Sequence, residues 1–348
     1  MNRIVKDIPI FLRACQREPT EYTPVWLMRQ AGRFLKEYRS LRRQYSFLTL
    51  CKTPELATKV TLLPIERLGV DAAIIFADIL LPLEPMGIDL EFTKGEGPVI
   101  HNPPRSRSEV EGLRIIEAEE DLPFVMEAVR SVCRELKERI PLIGFSGAPF
   151  TLASYLIEGG GAKDFVRTKS LMYQDPPCWH FLMEKLSAVV ISYLNAQIRA
   201  GAAVVQLFDS WAGTLSPRDY EEFVLPHNQR VFYALSSKVP AIHFATGAAG
   251  ILGQMKAAGG DIIGVDWRID LDEAWQRLGY DVGIQGNLDP AALLSPPEQI
   301  ESRVAAILHA AGSRPGHIFN LGHGVLPQTP EENVITMVEA VHRLSRDR

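Results

Sequence analysis

"QIRAGAAVVQLFDS", residues 197–210, carries the end of one element, a turn and the whole of the next. Its first residues close an amphipathic helix at Gly201, the residue type that takes the left-handed C-cap position without steric cost. The run from Ala202 to Phe208 is nearly all apolar, as in a parallel strand covered on both faces. Asp209 and Ser210 then stand at the carboxyl end of that strand.

The same helix–glycine–strand unit recurs along the chain. It reads as "IERLGVDAAIIFAD" (65–78), "MKAAGGDIIGVDW" (255–267), "WQRLGYDVGIQGN" (275–287) and "LHAAGSRPGHIFNLG" (308–322). Two more strands, "PLIGFSG" (141–147) and "VPAIHFAT" (239–246), open near a proline, which a strand tolerates at its start. The expected strands are therefore 72–77, 141–146, 203–208, 240–244, 262–266, 282–286 and 317–321. "PVWLM" (24–28) is the eighth candidate. Eight parallel strands with intervening helices make an α/β fold of the single (β/α)8, TIM-type barrel kind. "IDLEFTKGEGPVI" (88–100) reads as a β-hairpin inserted into it. A length of 348 residues fits one such barrel plus insertions, or two ordinary domains. No linker or low-complexity tract divides the chain, so one domain over 1–348 is expected, with a doubly wound sheet as the alternative.

A formal charge of −5 argues against general nucleic-acid binding, though a local anion site stays open. The four cysteines, Cys15, Cys51, Cys133 and Cys178, form no C-x-x-C pair. They read as reduced thiols of a cytoplasmic protein, with no zinc ribbon. The longest apolar stretch, 72–88, contains Asp78 and two prolines, so no membrane span is expected.

In a barrel the chemistry sits at the carboxyl ends of the strands. The polar residues there are Arg29, Gln30, Arg33, Asp78, Ser146, Asp209, Ser210, Asp266, Asn287 and His323. "WLMRQAGRF" (26–34) sets two arginines four residues apart. On a helix they would share a face; in a loop, Ala31 and Gly32 would let the backbone approach whatever they hold. Their forked donors suit carboxylates or phosphates. Asp78 interrupts an apolar run, where a carboxylate needs partners or a raised pKa. Tyr155 lies on a short helix after "PLIGFSG", and Ser210 lacks the G-x-S-x-G elbow of a nucleophile. Phe208 is a core residue or a pocket wall. His323 sits between two glycines, whereas His243 reads as a core histidine. The triplet Gly159–Gly161 lacks a P-loop's Lys-Ser/Thr ending and reads as a mobile loop at the site mouth.

Taken together, "MRQAGR", "FADIL", "GAPFTLASYLIEG", "LFDSWAG", "GNLDP" and "NLGHG" resemble the uroporphyrinogen decarboxylase family over about residues 6–345. The resemblance implies a (β/α)8 barrel, a homodimer and no metal or other cofactor. It also implies conversion of the four acetates of uroporphyrinogen III to methyls, giving coproporphyrinogen III and CO2. Carried over, the pattern places substrate-carboxylate contacts on Arg29, Gln30, Ala31, Gly32 and Arg33, and pocket aromatics at Phe47 and Phe208. Asp78 matches the carboxylate that binds the pyrrole N–H groups, and with Arg29 is the expected catalytic pair. Tyr155, Ser210 and His323 match the remaining substrate-binding positions. The substrate carries eight carboxylates, which the arginine turn could hold.

Two other readings compete. A corrinoid-linked zinc methyltransferase of a related barrel family needs soft ligands such as His-x-Cys. None of the eight histidines has cysteine two residues on. A catalytically silent tetrapyrrole-binding protein is the other.

Overall fold

The computed structural model describes residues 8–93, 97–137, 139–236 and 239–346. Nine strands run in chain order: β1 (Ala73–Ile74), β2 (Leu90–Thr93), β3 (Gly97–Ile100), β4 (Leu142–Gly147), β5 (Val204–Phe208), β6 (Ala241–Phe244), β7 (Ile262–Gly264), β8 (Gly283–Leu288) and β9 (His317–Leu321). Seven form one parallel, curled sheet in the order β1-β4-β5-β6-β7-β8-β9. Helices separate its neighbours in sequence, the longest being Pro176–Ala200 between β4 and β5. The inserted hairpin is present as the antiparallel pair β2 and β3, in the register Leu90↔Ile100. Its tip, residues 94–96, lies outside the described residues.

The eighth candidate, 24–28, is not a full strand, yet it spans the gap between the sheet's two edges. Val25 bridges Phe319 in β9 in parallel, with Phe319 N–H donating to Pro24 O at 2.8 Å. On the other side Asp71 N–H donates to Val25 O at 2.8 Å. The ladder stays short for two local reasons: Pro24 has no N–H to donate, and Arg29 turns into the left-handed region at φ 61. A side chain completes the seam. Gln30 Oε1 accepts from Leu27 N–H at 3.0 Å, and its Nε2 donates to Ala72 O at 3.1 Å. β1 is likewise shorter than the expected 72–77, because the chain leaves the sheet after Ile75. Phe76 N–H donates instead to Thr61 Oγ1 at 2.9 Å.

Alternation divides the apolar residues into two cores. Ile143, Val204, Ile242, Ile262 and Ile318 point inward with Trp26 and Met28, and the helix Ile10–Cys15 packs its Phe11 and Ala14 into them. Arg17, just beyond that helix, lies against Gly316 at the start of β9. The helix therefore stoppers the amino end of the barrel, and the carboxyl end is left for a site. The larger core lies between the strands and the surrounding helices. Each such fully buried aliphatic or aromatic side chain contributes about 1.5–3 kcal/mol of burial free energy. Inside the barrel Trp26 Nε1 donates to Gln285 Oε1 at 2.9 Å, and Gln285 Nε2 donates to Gln206 Oε1 at 3.1 Å. All four cysteines are free. No helix among the described residues is long and apolar enough to cross a membrane.

Candidate active site

The carboxyl ends of the strands bring most of the expected residues to one face. After Leu27 the chain makes a tight loop, not a helix, with Gln30 N–H donating to Leu27 O at 3.0 Å. Gly32 is required there, since a Cβ on it would lie 2.6 Å from Arg29 O. Ala31 is half-buried against the core. Arg29 and Arg33 are both exposed. Neither guanidinium has a hydrogen-bond or ion-pair partner among the described residues. Gln30 is fully buried and spends its amide on the barrel seam.

The loop after β9 is built against this turn. Val325 N–H donates to Met28 O at 2.9 Å, and Asn320 Oδ1 accepts from Met28 N–H at 3.2 Å. Gly324 leaves room for Arg29, whose side chain lies so close that a Cβ would overlap its Cδ. His323 Nδ1 accepts from Gly324 N–H at 2.7 Å, which assigns its proton to Nε2. Burial, then the charges of Arg29 and Arg268, push its pKa down to about 4. His323 is thus a neutral Nε2–H donor near pH 7.

Asp78 follows the chain's departure from β1. One oxygen accepts from Leu80 N–H at 2.9 Å, a local Asx-type turn ahead of the short 3₁₀ helix Leu81–Leu83. No other hydrogen bond to the carboxylate is present among the described residues. Burial raises its pKa to about 6, against the opposing pull of the Leu80 N–H and of Arg29. Tyr155 comes from the helix Pro149–Glu158. Burial raises its pKa first, then Asp78, while Arg29 lowers it, so the three groups share one electrostatic neighbourhood.

The two expected pocket aromatics pack on other rings. Phe208 stands edge-on to Phe145 and Phe244, at 5.5 and 5.8 Å between centroids. Phe47 packs on Phe76 at 5.8 Å and on Phe92 of the hairpin at 4.8 Å. The hairpin also holds the glycine triplet, which was expected to be a mobile loop. Gly160 bridges Val99, and Ile100 N–H donates to Gly159 O at 2.9 Å. Ser210 is half-buried, its carbonyl accepting from Thr246 Oγ1 at 2.6 Å. Its hydroxyl has no partner among the described residues.

Some strand-end residues serve the frame. Ser146 is buried within β4, its hydroxyl donating to Gly147 O at 3.0 Å. Asn287 ties Asp266 O and Ile269 O, at 3.0 and 2.7 Å. Asp209 is fully buried and accepts from Asn228 Nδ2 at 2.9 Å, with Tyr220 OH at 3.4 Å and Thr151 Oγ1 at 3.5 Å. His243 Nε2 lies 3.7 Å from the same carboxylate. This cluster fixes the corner that carries Phe208 and Ser210. Its partners carry no signal in the sequence, because Thr151, Tyr220 and Asn228 lie on helices that only the fold turns towards Asp209. The sequence reading passed over Arg268, two residues beyond Asp266. The signal for Arg268 was the charged pair flanking Trp267 after an apolar strand. Among the described residues, no group of three or more His, Cys, Asp or Glu side chains is placed to hold a metal ion.

The sequence profile of the family described as uroporphyrinogen decarboxylase (URO-D) matches residues 7–344. The chain belongs to the uroporphyrinogen decarboxylase family. A uroporphyrinogen decarboxylase of Carboxydothermus hydrogenoformans is 59% identical over 336 residues, 96% of each chain. One from Sorangium cellulosum is 57% identical over 97% of this chain and 96% of its own length. Among solved structures, a methyltransferase from Methanosarcina mazei superposes with a TM-score of 0.79 at 20% identity. That superposition covers 96% of this chain and 97% of the other, and speaks to the shared barrel alone. "RQAGR" and "NLGHG", two of the segments on which the sequence resemblance rests, are pressed together by the fold at the mouth.

Proposed function

We propose that the protein decarboxylates the four acetate side chains of uroporphyrinogen III, releasing CO2 and giving coproporphyrinogen III for tetrapyrrole biosynthesis. Family membership over nearly the whole chain supports the reaction class. The observation that carries the mechanism is Asp78: a carboxylate at the barrel mouth, one oxygen without a partner among the described residues, with Arg29 and Tyr155 in electrostatic reach.

The chemistry follows from the substrate. Protonation of a ring carbon beside an acetate places positive charge on the pyrrole, centred on its N–H. The acetate C–C bond then breaks, its electron pair flows into the ring, and CO2 leaves. A proton delivered to the resulting methylene gives the methyl group, and the proton first added is returned. Each turn consumes one net proton. Asp78, with a free oxygen towards the pyrrole N–H groups, stabilises the cation as it forms, and its removal from water strengthens that effect. Hydrogen bonds from the pyrrole N–H groups favour its ionised form, against the burial that raises its pKa to about 6.

Arg29 and Arg33 hold peripheral carboxylates by charge-assisted bonds. Neutral His323, Tyr155 and the Ser210 hydroxyl supply further hydrogen bonds, and Phe47 and Phe208 face the macrocycle. The resemblance also supports a homodimer, tested by sedimentation equilibrium, and a cytoplasmic setting that suits four free thiols. An anaerobic assay with uroporphyrinogen, following stepwise appearance of hepta- to tetracarboxylates, tests the function. Binding without any loss of carboxyl groups would favour the silent tetrapyrrole-binding reading.

A further inference from the structure

Beyond β7 the chain turns through Asp266, Trp267 and Arg268 at the carboxyl end of the barrel. This turn is held from three sides. Asp266 is buried, and one of its oxygens accepts from Gly247 N–H at 2.7 Å. Asn287 straps Asp266 O and Ile269 O from β8. Gly322, next to His323, lies flat against it: a Cβ there would stand 2.7 Å from Trp267 N and 2.9 Å from Asp266 Cα. The backbone that carries Arg268 is therefore packed on the loop that carries His323. Electrostatically the two side chains are neighbours as well, since Arg268 joins Arg29 in disfavouring the imidazolium.

The guanidinium itself is oriented. Its carbon sits 4.4 Å from the Trp267 ring centroid, and Nη1 is ion-paired with Asp266. Yet the side chain is 53% exposed. Only Nη1 has a side-chain partner among the described residues, out of the five N–H donors an arginine carries. Asp266 does not need the whole fork, because Gly247 N–H and Arg268's own N–H, the latter at 3.2 Å, already bond it. An arginine stacked on an indole, tethered at one nitrogen and open at the others, is pre-organised for a planar anion.

We propose that Arg268 is a further substrate-binding residue of the mouth, holding one side-chain carboxylate of the porphyrinogen beside His323. This rests on the decarboxylase reading above. It deepens that reading, because Arg29 and Arg33 together can neutralise only part of a substrate with eight carboxylates.

The test is steady-state kinetics under anaerobic conditions on the full-length parent, Arg268→Gln and Arg268→Lys, with uroporphyrinogen as substrate. Loss of one charge-assisted contact raises KM about tenfold in Arg268→Gln. Turnover at saturation stays within about twofold, and the melting temperature falls by a few degrees as buried Asp266 loses its ion-pair partner. Arg268→Lys keeps the charge without the fork and falls between the two. The rise of KM with added salt is also shallower in Arg268→Gln than in the parent. A parent-like KM in Arg268→Gln overturns the proposal, as does a fall in melting temperature and turnover with KM unchanged. The latter outcome would make the Asp266 pair purely structural. A parent that releases no CO2 from uroporphyrinogen overturns the functional reading and this proposal with it. An active parent with an unaffected variant overturns this proposal alone.

Discussion

The side chain of Arg29 lies across Gly324, nearly 300 residues away in the chain, so that the first turn and the last loop of the barrel form one surface. A Cβ at Gly324 would overlap Arg29 Cδ and come within 3.0 Å of its Nε. Gly324→Ala should therefore displace the guanidinium and reproduce much of the effect of Arg29→Ala. Both are expected to raise KM for uroporphyrinogen by about tenfold, the scale of one charge-assisted hydrogen bond. Arg33→Ala should also raise KM, while Arg29→Ala lowers turnover in addition. In a double-mutant cycle Gly324→Ala should add little once Arg29 is gone. Full additivity would show that the contact has no functional weight.

Asp78→Asn should fold and still bind the porphyrinogen, but turn over about 10²–10³ times more slowly. Asparagine keeps the size and loses the charge that offsets the cationic pyrrole. Asp78→Glu keeps the charge, displaced by one methylene, and should retain more activity. Stability should move the other way. The folded-state pKa of Asp78 is raised from 3.8 to about 6. Ionising it in the native state therefore costs free energy that appears as pH rises through that window. Asp78→Asn should gain about 1–2 kcal/mol above pH 6, allowing for the group's contact with solvent, and nothing near pH 3. Urea titrations at both pH values check the sign.

The same group sets a pH profile. In the free protein, kcat/KM should fall as pH drops through about 6, where Asp78 takes up a proton. His323, with its pKa pushed down to about 4, should not contribute to that limb. Its depressed value also works against the fold in acid. The unfolded chain binds a proton that native His323 refuses, so stability is lost as pH falls from about 6.5 towards 4. Imidazole resonances followed by NMR would report the His323 titration directly, and a midpoint near 6.5 would contradict the account of its burial.

Gln30→Ala separates two roles at one position. Its amide satisfies Leu27 N–H and Ala72 O across the barrel seam. Removing it leaves both unpaired and should destabilise the protein by about 1–3 kcal/mol. A rise in KM with no change in the denaturation midpoint would mean instead that Gln30 acts on substrate.

Activity should survive exhaustive chelation, with no stoichiometric metal found by elemental analysis. Activity lost on chelation and restored by zinc would bring back the methyltransferase-like reading.

The alternation of amphipathic helix, glycine and apolar run determined by itself that this chain forms a parallel sheet wrapped in helices. Periodicity and caps are local, and each of the seven strands was legible within a few residues. The sequence by itself also marked the end of the sheet where candidate site residues gather, because polar residues after buried runs must face its open end. Arg29, Asp78, Ser210 and His323 were candidates on that ground, and Tyr155, on the helix Pro149–Glu158, through the family resemblance. What the tertiary structure alone decided depends on contacts between separate elements of the chain. Gln30, whose position in the motif suggested substrate, spends its amide on barrel closure. Phe76 N–H turns to Thr61 and cuts β1 short. Asp209 goes inward, to Asn228, Tyr220 and Thr151. Arg268 gains its place only because Gly322 lets its turn pack beside His323. A residue's type limits which bonds it can make, but partners brought together from across the chain decide which of them it does make.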